Sequence, residues 1–376
     1  MNTKLIDPKI PYNQLPQLPP DVVLRDLDIL EALAMCNKAL GELRGKASIF
    51  DENISYYLLM PLTNKEAIKS SNIENINSTM MSVLESEVLS STEIKLSDKE
   101  TISYRDCLIG GFNSLKSNEF YLNKGIIEEI QKEYLEIHRD LAKGFRKKRM
   151  MPNGSIGILR ITDKSTKEIL YTPPDDESIL GSLLDNLCDY INDKSGAIDP
   201  ILKICIAHYQ FEAIHPFEDG NGRIGRIIFI LSFLIHNELK IPVLYISGYL
   251  LDNKLTYYNL LNEVTYQNNW KGFIIFMLNG IRLQAKETQT TFEDIKLFVD
   301  ETSVFLKKNK IKIRPENVID SLSLSIKSLS KKADITYATS TKYLNKMVEL
   351  GFLTEVKIGK ERVFYSKKYF GILNSE

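Results

Sequence analysis

The sequence predicts a mainly α protein carrying one small β-hairpin in its middle and a second near its C-terminus. Two observations predict this: apolar residues recur at three- and four-residue steps along most of the chain, and strand-like runs are confined to residues 156–172 and 352–365. At 376 residues with 43% hydrophobic content the chain can bury a sizeable core, and its length suggests two or three domains. A formal charge of -1 gives no global attraction to nucleic acid or membrane, so any such affinity must come from a local patch. The first residues lack a signal-peptide apolar region and the most apolar run, Ile227 to Ile235, is too short to span a bilayer, which predicts a cytoplasmic protein without membrane attachment. Cys36, Cys107, Cys188 and Cys205 lie far apart without CxxC spacing and are expected as reduced core thiols.

Five prolines between residues 8 and 20 favour an extended arm packed across another domain. From Asp21, residues Val22, Val23, Leu27, Leu30, Leu33 and Ala34 mark a first amphipathic helix reaching Leu43. Thr63-x-x-Glu66 after Pro61-Leu62 has capping-box spacing and opens a helix running through Asn75, on which Ser70 and Glu74 share a face. Residues 86–99 read as a polar loop, and 101–121 and 124–143 as helices, the second with His138 packed on its apolar face. Five basic residues from Lys143 to Arg149 form either a solvated loop or a patch for an acidic partner. The runs 156–161 and 168–172, joined by the polar turn 162–167, predict a hairpin closed by Pro173-Pro174. A helix marked by Ile179, Leu183, Leu184, Leu187 and Tyr190 follows. Asp199-Pro200 starts the next, which turns Ile201, Ile204, Cys205, His208 and Phe211 inward and stops near His215-Pro216. Ile224 to Ile235 is apolar on more than one side, as a buried central helix would be.

The chemistry is concentrated in His215-Pro-Phe-Glu-Asp-Gly-Asn-Gly-Arg-Ile-Gly-Arg226. Gly220-Asn221-Gly222 runs from a tight loop into a helix, whose unpaired N–H groups and positive end attract an anion. Arg223 and Arg226, three apart on the first turn, can both fork onto one polyphosphate. Asp219 can hold a hard divalent cation such as Mg²⁺ that bridges phosphate oxygens, while Glu218 is assigned to solvent. His215, with an ordinary pKa of about 6.5, can accept a proton from an attacking hydroxyl. Together these residues suit transfer of a nucleotide phosphate group.

This stretch resembles the HPFx[DE]GNGRxxR signature of the Fic family at every fixed position. The resemblance implies a helical core with a β-hairpin flap and transfer of AMP from ATP to a Ser, Thr or Tyr hydroxyl of a protein target. It implies His215 as base, Asp219 as Mg²⁺ ligand, Gly220, Asn221 and Gly222 as anion hole, and Arg223 and Arg226 on the β- and γ-phosphates. Gly222 matches the AMP-transferring branch, since Lys there resembles the kinase-type Doc branch. The hairpin 156–172 stands where the family's target-docking flap belongs, offering an edge to an extended segment. Gly157-Ile158-Leu159-Arg160 is similar to the family's PGxhR entry, with Ile156 in place of the proline. Tyr257-Tyr258 resembles the adenine-side helix, and these tyrosines either line the base pocket or pack in the core.

Ser70-x-x-x-Glu74-Asn75 is similar to the [ST]xxxE[GN] inhibitory motif of relatives with an N-terminal inhibitory helix, which implies that Glu74 competes with ATP for Arg226. Beyond Lys286 the chain is charged and helical to about Asn309. Helices are then expected around Val318, Leu322 and Ile326, over Ser328 to Ala333 and over Thr339 to Gly351, with strands 352–358 and 362–365. This succession resembles a winged helix-turn-helix. Residues 311–376 carry twelve Lys/Arg against seven Asp/Glu, and Lys342 and Lys346 share a face of the presumed recognition helix, so DNA is a candidate partner there. The expected organisation is an N-terminal region 1–110 with an inhibitory helix over about 63–75, a catalytic core 111–290 and a winged-helix domain 291–376. A homodimer is among the expected assemblies. A DNA-binding regulator whose core senses nucleotide is the alternative to an adenylyltransferase, and removal of AMP from a modified target is a further activity the site could serve.

Overall fold

The computed structural model describes residues 6–48, 52–86, 94–138, 141–147, 149–150, 156–163, 165–319 and 323–374. In chain order the elements are α1 (Leu27–Ala47), α2 (Glu52–Ile73), α3 (Met80–Ser86), α4 (Leu96–Ser117), α5 (Lys124–Tyr134), a 3-10 turn (Leu135–Ile137), β1 (Arg149–Met150), β2 (Ile156–Gly157), β3 (Ile161–Thr162) and β4 (Ile169–Tyr171). There follow α6 (Glu177–Asn192), α7 (Pro200–Ile214), α8 (Asn221–Ile235), α9 (Ser247–Asp252), α10 (Lys254–Gln267), α11 (Trp270–Lys308), α12 (Glu316–Ile319), β5 (Leu324–Ser325), α13 (Ile326–Ala333), α14 (Tyr337–Glu349), β6 (Thr354–Ile358), β7 (Glu361–Tyr365) and α15 (Lys367–Asn374). The protein is mainly α, as its periodicity predicts. No helix among the described residues is long and apolar enough to cross a membrane. All four cysteines are buried and free, and burial pushes the Cys36 and Cys188 thiols up to about 12.

Two compact units divide the chain: Met1–Lys38, Asp106–Pro242 and Ile246–Leu283 form the first, and Ala39–Arg105, Val243–Tyr245 and Gln284–Glu376 the second. In the first, α8 is the axis, with every residue but Gly222 buried, and it packs against α5, α6 and α7. Asp199 caps α7 by accepting the Ile201 N–H at 2.8 Å, with Pro200 at the first helical position where its missing donor costs nothing. The proline-rich arm lies extended across this unit. Tyr12 N–H donates to the Thr172 carbonyl, Gln210 to the Pro16 carbonyl, and Asn186 and Leu18 exchange hydrogen bonds. In the second unit α2 packs on α3, α12 and α15, and β5-β7-β6 form a three-stranded antiparallel sheet.

Several boundaries differ from the sequence expectation, each for a local reason. Helix α1 begins at Leu27 rather than Asp21, because the Asp26 carboxylate accepts the Asp28 and Ile29 N–H groups and Val23, 75% exposed, gains nothing from a helix there. Thr63 is not a cap: α2 already runs through Pro61, the Thr63 hydroxyl turns back to the Leu59 and Met60 carbonyls, and buried Glu66 accepts the Tyr104 hydroxyl at 3.0 Å. Helix α5 stops at Tyr134, since Gly144, at φ 86, donates its N–H to Gln131 and folds the chain back along the helix. His138 therefore ends a 3-10 turn half-buried, off any helical face, and Leu141 is exposed. Most of the polar stretch 86–99 lies outside the described residues, and α4 starts within it at Leu96.

The expected hairpin is really two short pairings. Ile156–Gly157 pairs with Arg149–Met150, and only Ile161–Thr162 pairs with Ile169–Tyr171, with an irregularity between Ile161 and Thr162. Near the C-terminus Ile326 opens α13 instead of closing the preceding helix, because Ser325 and Ser328 cap each other through side chain and backbone. Leu322 lies outside the described residues.

Candidate active site

The helix α7 ends where the sequence places its stop, and the residue that ends it is His215. Proline at 216 bars a further helical turn, and His215 adopts the left-handed conformation (φ 49, ψ 60) while its N–H still closes onto the Phe211 carbonyl at 3.0 Å. The loop 215–220 is then built from inside. Asn221 spans it, accepting the Phe217 N–H at 2.9 Å and donating to the Phe217 carbonyl at 2.8 Å, and Phe217 is fully buried against Phe145. Gly220, at φ 88, makes the left-handed entry into α8 without a side-chain cap.

That entry leaves the first-turn N–H groups of α8 without intrahelical acceptors and aims the positive helix end at one spot. Because the Asn221 side chain is engaged with Phe217, its contribution to an anion site is its backbone N–H. Asp219 is half-exposed at the rim, its Oδ1 accepting the Gly220 N–H at 2.7 Å and lying 3.5 Å from Arg223 Nη2. Among the described residues its other oxygen has no hydrogen-bonded partner, which suits one carboxylate sharing a hard cation with phosphates. No cluster of three or more His, Cys, Asp or Glu gathers among the described residues. Arg223 is 6% exposed, with its guanidinium carbon 4.5 Å from the centre of the Tyr134 ring and a hydrogen bond to the Tyr134 hydroxyl. Arg226 is 1% exposed.

Behind Arg226 lies a polar pair that the spacing alone did not connect. His208 of α7 and Tyr257 of α10 hydrogen-bond at 2.9 Å, both buried. Burial, and then the Arg226 charge, holds His208 down at about 3, so it is neutral. Of the two expected base-pocket tyrosines, Tyr257 is thus a core residue 2% exposed, whereas Tyr258 is 38% exposed. Ser70 and Glu74 belong to the second unit. There α2 ends at Ile73, Ser70 is fully buried, and Glu74 sits half-buried in the closing turn with its N–H on the Ser71 carbonyl, ahead of left-handed Asn75. The helical spacing assumed for Ser70 and Glu74 therefore holds only up to the helix end.

Three site residues escaped the sequence reading. Arg146, taken with the basic cluster 143–149, is half-buried and donates to the carbonyls of Ile214, His215 and Pro174. Burial holds its pKa below the usual arginine value, against the opposing charge of Glu218, and Glu218, assigned to solvent from the sequence, is half-buried. Tyr134 supports Arg223. Gly225 permits the close approach of α7 to α8, since a Cβ there would fall 2.9 Å from Phe211 Cδ1 and well inside contact distance of Glu212 Oε1. The HPF-type motif contains Gly225 in plain view, but only the helix pair shows what the missing side chain is for. In the hairpin, the outer edge of β4 is occupied: the Leu170 carbonyl accepts the Tyr266 hydroxyl at 2.7 Å and the Thr172 carbonyl accepts Tyr12 N–H. No strand among the described residues pairs with the outer edge of β3.

Two family models match the chain, Fic/DOC family over residues 127–233 and Fic/DOC family N-terminal over residues 30–113. Protein adenylyltransferase fic-1 of Caenorhabditis elegans is 44% identical over 65 residues, 17% of this chain and 13% of that protein. A probable protein adenylyltransferase of Aquifex aeolicus (strain VF5) is 33% identical over 114 residues, 30% of this chain and 32% of the relative. These matches span a third or less of the curated relatives' own length. Among solved structures, a Fic family protein from Desulfovibrio desulfuricans G20 superposes with a TM-score of 0.58 at 18% identity, covering 93% of this chain and 98% of that one. Fic-1 from C. elegans superposes at 0.50 with 20% identity, over 69% and 72%. At such identities the structures show a shared fold, and with the two matched domains they place the HPF-type turn in a known scaffold: the chain belongs to the Fic/DOC family.

Proposed function

We propose that this protein is an adenylyltransferase that moves AMP from ATP onto a Ser, Thr or Tyr hydroxyl of a protein, its own chain included. The observation that carries the proposal is the meeting, within one turn, of His215 and the open N-terminus of α8 flanked by Arg223 and Arg226. In this reading the target hydroxyl oxygen attacks the α-phosphorus and His215 takes its proton. The bond from the α-phosphorus to the bridging oxygen breaks, and pyrophosphate leaves with that oxygen. The α8 N–H groups and the two guanidiniums hold the phosphates and favour the charge that builds on them. Asp219 is the residue that would hold Mg²⁺, which neutralises phosphate charge when bound. Gly222, with no side chain, leaves the anion site open to the polyphosphate. A target segment pairs along the outer edge of β3, which no strand among the described residues occupies, and the exposure of Tyr258 favours it over Tyr257 as the tyrosine that meets a base.

The motif at Ser70-x-x-x-Glu74-Asn75 supports autoinhibition, with Glu74 drawing Arg226 away from the γ-phosphate. In this proposal residues 1–110 form an N-terminal helical region whose inhibitory helix spans about 63–75, 111–290 the catalytic core and 291–376 a winged-helix domain, all acting in the cytoplasm. The succession α12, β5, α13, α14, β6, β7 supports the winged helix and favours a second reading, a DNA-binding regulator with a nucleotide-sensing core. Lys346 is held by the Asn309 carbonyl at 2.7 Å, which leaves Lys342 as the exposed member of the presumed DNA-facing pair. One assay separates the readings: ATP labelled on the α- or the γ-phosphate is offered to the protein and to Glu74→Gly. Transfer of α-label is expected. Transfer of γ-label overturns the proposal in favour of a kinase, and no transfer favours the regulator.

A further inference from the structure

Next to the candidate base lies an arginine that phosphate chemistry does not use. Arg146 reaches the C-terminal end of α7 from the segment after α5. Its Nε donates to the His215 carbonyl at 2.8 Å, its Nη2 to the Ile214 carbonyl at 3.1 Å and to the Pro174 carbonyl, and its backbone N–H to the Pro216 carbonyl at 2.9 Å. One residue therefore holds three consecutive carbonyls, 214, 215 and 216, on the turn that carries the imidazole. The last carbonyls of a helix lack intrahelical donors, and a cation there also opposes the negative helix end. The Ala213 carbonyl just before them accepts the Tyr171 hydroxyl from β4 at 2.9 Å. Both Tyr171 and Pro174 bound the exit of the hairpin, so the hairpin and the His215 turn are tied to each other at two points.

The turn is of a kind that needs holding. His215 is left-handed, a region that disfavours any residue with a Cβ, and its side chain can point consistently only if the backbone does. Arg146 is fixed in turn, since its neighbour Phe145 stacks on Phe217 at 5.2 Å with planes 10° apart. Lysine could supply the charge but not the planar fork that spans several carbonyls.

We propose that Arg146 is a positioning residue that locks the His215 turn to the exit of the β3–β4 hairpin, so that a hydroxyl docked on the hairpin meets the imidazole in register. The proposal rests on the AMP-transfer reading for its consequence but not for its geometry, and the test separates the two. In the full chain carrying Glu74→Gly, Arg146→Ala and Arg146→Lys are compared by steady-state AMP transfer and by NMR of the His215 ring, assigned through its loss in His215→Asn. For Arg146→Ala, kcat falls about 100-fold, the scale of a small misplacement of a reacting group, while KM for ATP stays within about twofold, because the anion site begins beyond this turn. The His215 ring signal shifts or splits, and added guanidinium restores both signal and part of kcat. Arg146→Lys falls between, and it carries the test if Arg146→Ala does not fold. An unchanged kcat and an unchanged ring signal overturn the proposal. So does a loss confined to KM or to thermal stability. If the parent transfers no AMP, the functional reading alone fails, and the ring signal decides the role of Arg146.

Discussion

The turn at 215–226 and the segment at 63–75 both carry short motifs, yet the fold treats them differently. In the first, the residues proposed to carry the chemistry also make the backbone. Proline stops α7 after His215, Gly220 supplies the left-handed entry to α8, and Asn221 bolts the loop to itself through Phe217. In the second, the motif borrows its spacing from a helix it does not control. Helix α2 ends at Ile73, so Ser70 stays on the helix, fully buried, while Glu74 passes into a turn closed by left-handed Asn75. A motif that specifies its own backbone carries its geometry with it. One that assumes a backbone does not.

The largest effect that can break this contrast is at the first region. His215→Ala should lower AMP transfer by about 10²- to 10⁴-fold, the range of general base catalysis, as read by α-labelled ATP. Label persisting at parental levels removes His215 as base. At the second region, the proposed autoinhibition predicts that Glu74→Gly raises labelling about tenfold to a hundredfold, the worth of one charge-assisted hydrogen bond. Equal labelling of both proteins would show that the turn after α2 has no inhibitory role.

Smaller effects sharpen the contrast through stability. Gly225→Ala places a methyl 2.9 Å from Phe211 Cδ1 and against Glu212, so the α7–α8 pair must spread, at about 1–3 kcal/mol by denaturant midpoint. An unchanged midpoint would mean that the helices have room to spare. His208 gives a pH test. Its pKa is about 3 when folded against about 6.5 unfolded, so the unfolded chain binds the proton first. This contribution to stability is whole above pH 6.5 and is lost as pH falls toward 3, by about 2 kcal/mol between pH 6.5 and 5. His208→Gln should flatten that acid limb in urea titrations at the two pH values, and equal slopes in both proteins would contradict the buried neutral state.

Legibility followed the range of the interaction. The mainly α class, the α7 cap at Asp199, its stop at His215 and the buried run of α8 could be read from neighbouring residues, because helix signals act over a few positions. The start of α1 went wrong over the same range, since apolar Val22 and Val23 looked helical while Asp26 was already the cap. In the basic run 143–149, Lys143 and Lys147 are exposed as a solvated loop would have them, and Arg146 departs, for the opposite reason. Nothing near Arg146 in sequence reveals that its partners are carbonyls at 174, 214 and 215.

The sequence by itself determined the class of the fold, the family and the residues proposed to meet a phosphate, because a twelve-residue turn into a helix contains its own donors, charges and backbone constraints. Tertiary structure alone decided that no strand among the described residues pairs with the outer edge of β3, that Tyr257 is a core partner of His208, and that Arg146 holds the His215 turn. Those outcomes depend on groups tens of residues apart competing for the same hydrogen bonds, and only packing selects the winner.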